Sequence, residues 1–207
     1  MRLKNLIDSW RYGLLVQRIL ERLRRAGLEI VVYQWVAEGE SGPPIALRPP
    51  DPDLRAVFLD DSHIGQIAGS RKWIAGEELR RRLQGGQHCI GVFIGEKLAA
   101  YMWADPFECN HPPNRAPLSA GEAYLYEAYS LPEFRGRDVA PFMRRSAYDL
   151  LRSLGFSRFY SITDYFNASA ARFKQKLGAR PICLYLYLKL GKRWSGNWKI
   201  HSYGAKA

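Results

Sequence analysis

Residues 123–154 constrain this chain more than any other stretch. An apolar and aromatic strand pattern over 123–131 passes through Pro132-Glu133-Phe134-Arg135-Gly136-Arg137-Asp138 into a helical pattern. That pattern has apolar residues at 139, 142, 143, 147, 150, 151 and 154, the best helical period in the sequence. A strand turning sharply into a helix leaves several backbone N–H groups unpaired and pointing one way, and the helix dipole adds partial positive charge there. The result is a place for a phosphate or another anion. Asp138 complicates it: its carboxylate repels a phosphate, yet Asp is also a favoured helix N-cap, worth about 1 kcal/mol.

The rest of the chain supplies elements around this unit. Residues 2–25 read as a basic amphipathic helix with Leu3, Leu6, Ile7, Trp10 and Leu14 on one stripe. Such a stripe packs on its own domain or on a second copy of the chain, which leaves a homodimer open, or lies on an anionic bilayer. After Gly27, residues 28–37 form a strand rich in Val, Ile, Tyr and Trp, followed by a Pro-rich loop to 52. Residues 53–60 and 72–83 are expected to be two short helices, the second carrying Arg80-Arg81-Arg82 on a solvated face. Residues 88–94 and 97–104 form a hairpin about Gly95-Glu96, and 105–121 is a loop. Beyond the central helix come a strand at 156–163, a short helix capped by Asn167 and closed by Gly178, and a strand at 182–190. Residues 194–203 add a last strand with less support. The order predicts an α/β fold of the α+β type, with a mixed central sheet flanked by helices and an extra N-terminal helix. Its divisions are residues 1–26, a main domain over 27–190, and a basic aromatic tail over 191–207.

Of the 207 residues 47% are hydrophobic and 25% charged, which suits a soluble domain with a real core. No apolar run is long enough to span a bilayer, and the basic N-terminus is followed by a charged helix, not a signal-peptide core. Three cysteines without a Cys-x-x-Cys pattern suggest reduced thiols and a cytoplasmic setting. Cys109-Asn110-His111 lacks a second half, so no metal is expected. The net charge of +11 is concentrated at the ends, with five basic and no acidic residues over 189–207. Basic ends on a neutral body suggest an acidic surface, either membrane headgroups peripheral to the inner face of a membrane or an acidic protein, and not a nucleic-acid groove.

Three features together resemble the GNAT (GCN5-related N-acetyltransferase) superfamily. Arg135-Gly136-Arg137-Asp138-Val139-Ala140 is similar to the family's Gln/Arg-x-x-Gly-x-Gly/Ala turn, with Asp138 where the family has its middle Gly. The strand over 124–131 leads into it through Leu-Pro-Glu-Phe-Arg-Gly. Residues 167–179, Asn-Ala-Ser-Ala-Ala-Arg-Phe-Lys-Gln-Lys-Leu-Gly-Ala, resemble the family's Asn-x-x-Ala-x-x-Phe-Tyr-x-x-Leu-Gly-Phe helix.

The resemblance implies an N-acetyltransferase that moves acetyl from acetyl-CoA to a primary amine of a small-molecule acceptor by direct attack. It implies a donor site built from Tyr129, Ser130, Leu131, Arg135, Gly136, Arg137, Asp138, Val139 and Ala140, with a strand bulge around Tyr129 to Leu131, and with Asn167, Phe173 and Lys174 from the later helix. Glu127 is the expected base: a carboxylate inside an aromatic strand is half-buried, and burial moves its pKa toward a useful value. An exposed-face strand residue is an equal alternative, with Glu122 in reserve. Lys174 stands where the family often has its acid Tyr, so Tyr165 is the substitute acid, against its reading as a packed aromatic. Lys174 itself either meets donor phosphate or lies on a solvated helix face. Two other functions stay open: an acyltransferase taking a longer chain from an acyl carrier protein, and a GNAT-fold binding module without catalysis.

Overall fold

A computed structural model describes residues 14–39, 53–70, 75–111 and 114–204. These fall into two compact units. Of these, one unit holds residues 14–39, 111, 114–115 and 161–204, and the other holds residues 53–70, 75–110 and 116–160.

The second unit contains the mixed sheet. Strands β2 (Leu54–Leu59), β3 (His88–Ile94), β4 (Lys97–Asp105) and β7 (Glu122–Ser130) are antiparallel neighbours in that order. The first residues of β8 (Arg158–Asp164) then run parallel to β7. Helix α4 (Val139–Ser153) supplies the parallel crossover and covers one face. Its buried Val139, Met143, Ala147 and Leu151 recur every four residues and meet Ile90, Val92, Met102 and Leu125. Helices α2 (Ile64–Ser70) and α3 (Gly76–Gln84) serve the opposite face, where Ile64, Ile67 and Leu79 meet Cys89, Phe93, Tyr101 and Trp103. Alternation along β3 sends Ile90 one way and Cys89 the other, so each face has its own core.

Two sequence expectations are corrected in this unit. Residues 53–60 are not a helix: Leu54–Leu59 is strand β2, paired along its whole length with β3. Leu54, Ala56 and Phe58 pack on one core and Val57 and Leu59 on the other, which is the period of a strand buried on both faces. Six apolar-rich residues cannot distinguish that from a helix until the partner strand is known. The adjoining helix α2 was not anticipated. It follows a short 3-10 turn, Asp61–His63, whose N-cap Asp60 forms a capping box with His63. The expected loop over 105–121 carries a two-residue ladder between β5 (Glu108–Cys109) and β6 (Ala116–Pro117). Buried Asp105 staples its start, accepting from Phe107 N at 2.8 Å, Glu108 N at 3.1 Å and Gln87 Nε2 at 2.6 Å.

In the first unit the strand order is β10 (Trp194–Ser202), β9 (Arg180–Leu190), β1 (Leu28–Glu38) and the end of β8. β1 and β10 are both antiparallel to β9. Helix α1 (Leu14–Arg25) packs on β1, while the stripe positions Leu3, Leu6, Ile7 and Trp10 lie outside the described residues. Helix α5 (Ala168–Lys176) follows β8. The described helices include none long and apolar enough to cross a membrane.

Candidate active site

The register of β7 against β4 breaks once. Tyr101 faces Tyr129 and Trp103 faces Tyr126, so two residues on β4 span three on β7. The extra residue makes a bulge at Glu127, whose φ of 48° is left-handed. A non-glycine residue held there costs about 1–3 kcal/mol of local strain, a conformation that surrounding packing must impose. The bulge therefore sits two residues earlier than the expected position around Tyr129 to Leu131. The parallel ladder to β8 also ends early, at Tyr124 opposite Tyr160. Residues 125–130 thus carry backbone groups on that side with no ladder partner in their own unit.

Beyond the bulge the chain descends through the 3-10 turn Pro132–Phe134 into α4. Buried Phe134 and Val139 pin the two ends of the turn, leaving Arg135, Gly136, Arg137 and Asp138 exposed between them. Gly136 has a φ of 80° and nothing within 4 Å of where a Cβ would stand, so this stretch presents bare backbone. Among the described residues the N–H groups of Gly136, Arg137, Asp138, Val139 and Ala140 have no backbone acceptor. Pro141 has no N–H, and Phe142 N is the first to close a helical bond, onto Asp138 O at 3.1 Å. The arrangement is a helix N-terminus with unspent donors, chemically suited to a diphosphate.

Asp138 does not cap this helix through its side chain. It occupies the N-cap position with φ 55° and makes no side-chain cap bond. A cap normally has an extended backbone that swings its oxygen onto the N2 or N3 amide; the left-handed turn denies that geometry. Leu131 N is also unavailable to a ligand, since it donates to Ala99 O at 2.9 Å. Arg135 folds back, donating from Nε to Ser130 O at 3.2 Å and stacking over Tyr129 at 5.7 Å.

Glu127 has a partner the sequence did not announce. Arg82 of α3 grips its carboxylate with two nitrogens, Nη1 at 2.8 Å and Nη2 at 3.3 Å. Arg82 also donates from Nε to Glu78 at 3.1 Å and lies over the rings of Trp103 and Tyr126 at 5.4 and 5.5 Å. The two side chains are 17% and 22% exposed, so this pair is half sheltered from water. Burial is the largest single influence and works against the Arg82 cation, but Glu127, Tyr126 and Cys89 together hold the guanidinium above its ordinary pKa. Arg82 is thus not on a solvated face, as Arg80-Arg81-Arg82 suggested. A signal existed: Arg82 lies three residues after Leu79, directly beside the buried stripe. Tyr126 completes the neighbourhood, donating to Gln87 Oε1 at 2.5 Å, and burial drives its pKa upward. The reserve Glu122 is committed elsewhere, accepting from Ser119 N at 2.9 Å and from the Tyr160 hydroxyl at 3.1 Å.

In the other unit, Asn167 caps α5, accepting from Ala170 N at 3.1 Å and Ser169 Oγ at 2.8 Å. Phe173 is half-buried on that helix. Tyr165, read as a packed aromatic or an acid, exposes 48% of its surface and meets Phe166 edge-on at 5.4 Å. Lys174 fits neither expected role, because it is buried. Its Nζ donates to Ser161 Oγ at 2.6 Å, to Ile162 O at 3.2 Å and to Thr163 Oγ1, with Glu38 3.5 Å away. A half-charged interior is tolerated only when each group is satisfied this way.

The model of the acetyltransferase (GNAT) family matches residues 53–179. A structure from Novosphingobium aromaticivorans assigned to the GNAT family gives a TM-score of 0.56 at 21% identity, covering 81% of this chain and 69% of its own. A GCN5-related N-acetyltransferase from Sphaerobacter thermophilus gives 0.57 at 12% identity, over 90% of this chain and 57% of its own. A conserved protein of unknown function from Staphylococcus epidermidis gives 0.52 at 9% identity, over 83% and 66%. The chain therefore spans between 57% and 69% of the length of these structures, and at such identities the likeness speaks to fold. No curated protein matches the sequence. The family match covers more than half of the chain and takes in the bulged strand, the turn before α4 and the capped helix α5, and on that ground the chain belongs to the GNAT acetyltransferase family.

Proposed function

We propose that this protein is an acyl-CoA-dependent N-acyltransferase that transfers acetyl to a primary amine by direct attack. The observation that supports it most is the sequence of a bulge at Glu127 and, beginning nine residues later, a run of unspent amides from Gly136 to Ala140. The amides would hold the donor's diphosphate, with Arg137 adding charge. Acyl transfer then needs a proton taken from the amine and one returned to the thiolate. Glu127 is our candidate for the first. An acceptor arriving as an ammonium would compete with Arg82 for the same carboxylate, and once bound could release its proton to it. For the second, the family resemblance offers Tyr165, which is exposed in its own unit. The exposed Asp138 carboxylate beside the amides opposes a tight diphosphate site.

Calorimetry with acetyl-CoA tests the proposal, together with thiol release in the presence of a panel of amines. Wild-type protein should bind the donor. Asp138→Gly should bind it more tightly with stability changed by no more than about 0.5 kcal/mol, because no cap bond is lost and glycine accepts the left-handed backbone. If neither protein binds acetyl-CoA, the reading fails. A response only to acylated carrier protein would transfer the function to that donor.

A further inference from the structure

We propose that the β9–β10 hairpin is a docking surface for an anionic lipid bilayer. The inference is independent of the chemistry at β7, because it rests on the other unit alone. Among the described residues strand β10 is an edge of its sheet, and it exposes large apolar side chains: Trp194 by 50%, Trp198 by 43% and Ile200 by 51%, with Leu190 of β9 at 60%. Monomeric proteins rarely leave such a group together in water without using it. The register places Trp194 opposite Leu190 and Trp198 opposite Leu186, so both indoles stand on one face of the hairpin with leucines beside them.

The indole pair is built into the backbone. Between the two tryptophans lies Gly196, where a Cβ would fall 2.1 Å from the nearest Trp198 ring atom. The bare glycine lets the Trp198 ring lie flat across the strand, 5.8 Å from Trp194 and tilted by 34°. A broad, shallow aromatic plate results instead of a plug for a deep pocket.

Charge selects the occupant. Lys192 and Arg193 form the hairpin turn next to Leu190 and Trp194, while Lys199, one residue after Trp198, stands on the opposite face of the strand; all three are exposed. None is paired with a carboxylate among the described residues, and the sequence contains no acidic residue after Asp164. A second copy of the same edge would bring like charges together, which opposes pairing of two such hairpins. An anionic headgroup layer suits this face. Its charge meets Lys192 and Arg193, its interfacial zone takes the amphipathic indoles, and its acyl boundary receives Leu190.

The test is sedimentation of the full-length protein with vesicles of phosphatidylcholine alone, and with vesicles also containing phosphatidylglycerol. The wild type should pellet with the anionic vesicles and not the neutral ones, and salt should release it. Lys192→Glu with Arg193→Glu lies on an exposed turn and should fold; it should weaken binding by about tenfold or more. Trp194→Ser with Trp198→Ser should do the same, with an unchanged thermal melt establishing that it is folded. Equal binding to both vesicle types, binding to neither, or wild-type pelleting by the charge-reversed variant would overturn the proposal. So would a dimer in light scattering that the double Trp variant dissolves, because the surface would then serve self-association.

Discussion

Replacing Arg82 by Gln tests the pairing on which the candidate active site depends. The substitution removes two charge-assisted bonds to Glu127 and the cation over Trp103 and Tyr126, and leaves a carboxylate only 22% exposed without its counter-charge. Breaking a fully buried ion pair from one side costs about 3–5 kcal/mol, and an exposed pair is worth about 1 or less. With about a fifth of each side chain still wet, we expect a loss of about 2–3 kcal/mol. For a chain of this size that lowers the melting temperature by about 5–10 °C. Glu127→Gln should cost less, about 1–2 kcal/mol, because an amide oxygen still accepts from Arg82 and Glu78 still faces the cation. The double variant should be milder than the sum of the two by about 1–2 kcal/mol. Urea unfolding of all four proteins measures that coupling, and thiol release from acetyl-CoA reports turnover in parallel. Glu127→Gln should cut turnover strongly and leave donor affinity unchanged. A coupling energy under about 0.5 kcal/mol would mean that the two side chains act independently, and the geometric argument would fail. Unaltered turnover would remove Glu127 from the mechanism.

Two further outcomes follow from buried charge. Lys174→Met should destabilise the protein by about 3–5 kcal/mol, because it removes the ammonium beside Glu38, whose side chain is fully buried. Adding Glu38→Gln should recover much of that loss in urea unfolding, and no recovery would show that the two groups are not a unit. Stability should fall as pH drops: burial lowers the pKa of both His88 and His111 below the usual value near 6.5. The unfolded chain therefore takes up protons first as pH falls through that value, and stability present at neutral pH is lost toward more acidic conditions. Urea midpoints at about pH 7.5 and pH 5.5 measure the slope; His88→Gln with His111→Gln should flatten it, and an unchanged slope would assign it elsewhere.

Much of the fold was legible because its signals are local. The apolar period of α4, the hairpin about Gly95-Glu96 and the Asn167 cap each lie within one or two turns of chain, where side chains are neighbours by covalent geometry. The same locality made the run from Glu127 to Ala140 readable as a strand, a turn and a helix start. It could not reveal which residues would be brought to that run from elsewhere.

The sequence by itself determined the family, the element that carries the candidate donor site, and the uneven distribution of charge toward the chain ends. Tertiary structure alone decided the rest. Strand β2 is a strand because β3 lies beside it. Arg82 meets a carboxylate 45 residues away because α3 crosses the face on which the bulge turns Glu127. Lys174 is interior because Glu38, Ser161 and Thr163 converge on it from two strands. Asp138 does not cap through its side chain, and its backbone is left-handed where a cap is normally extended. Propensity and period describe what a residue prefers among its sequence neighbours, whereas pairing, burial and strain depend on partners that only the folded chain selects.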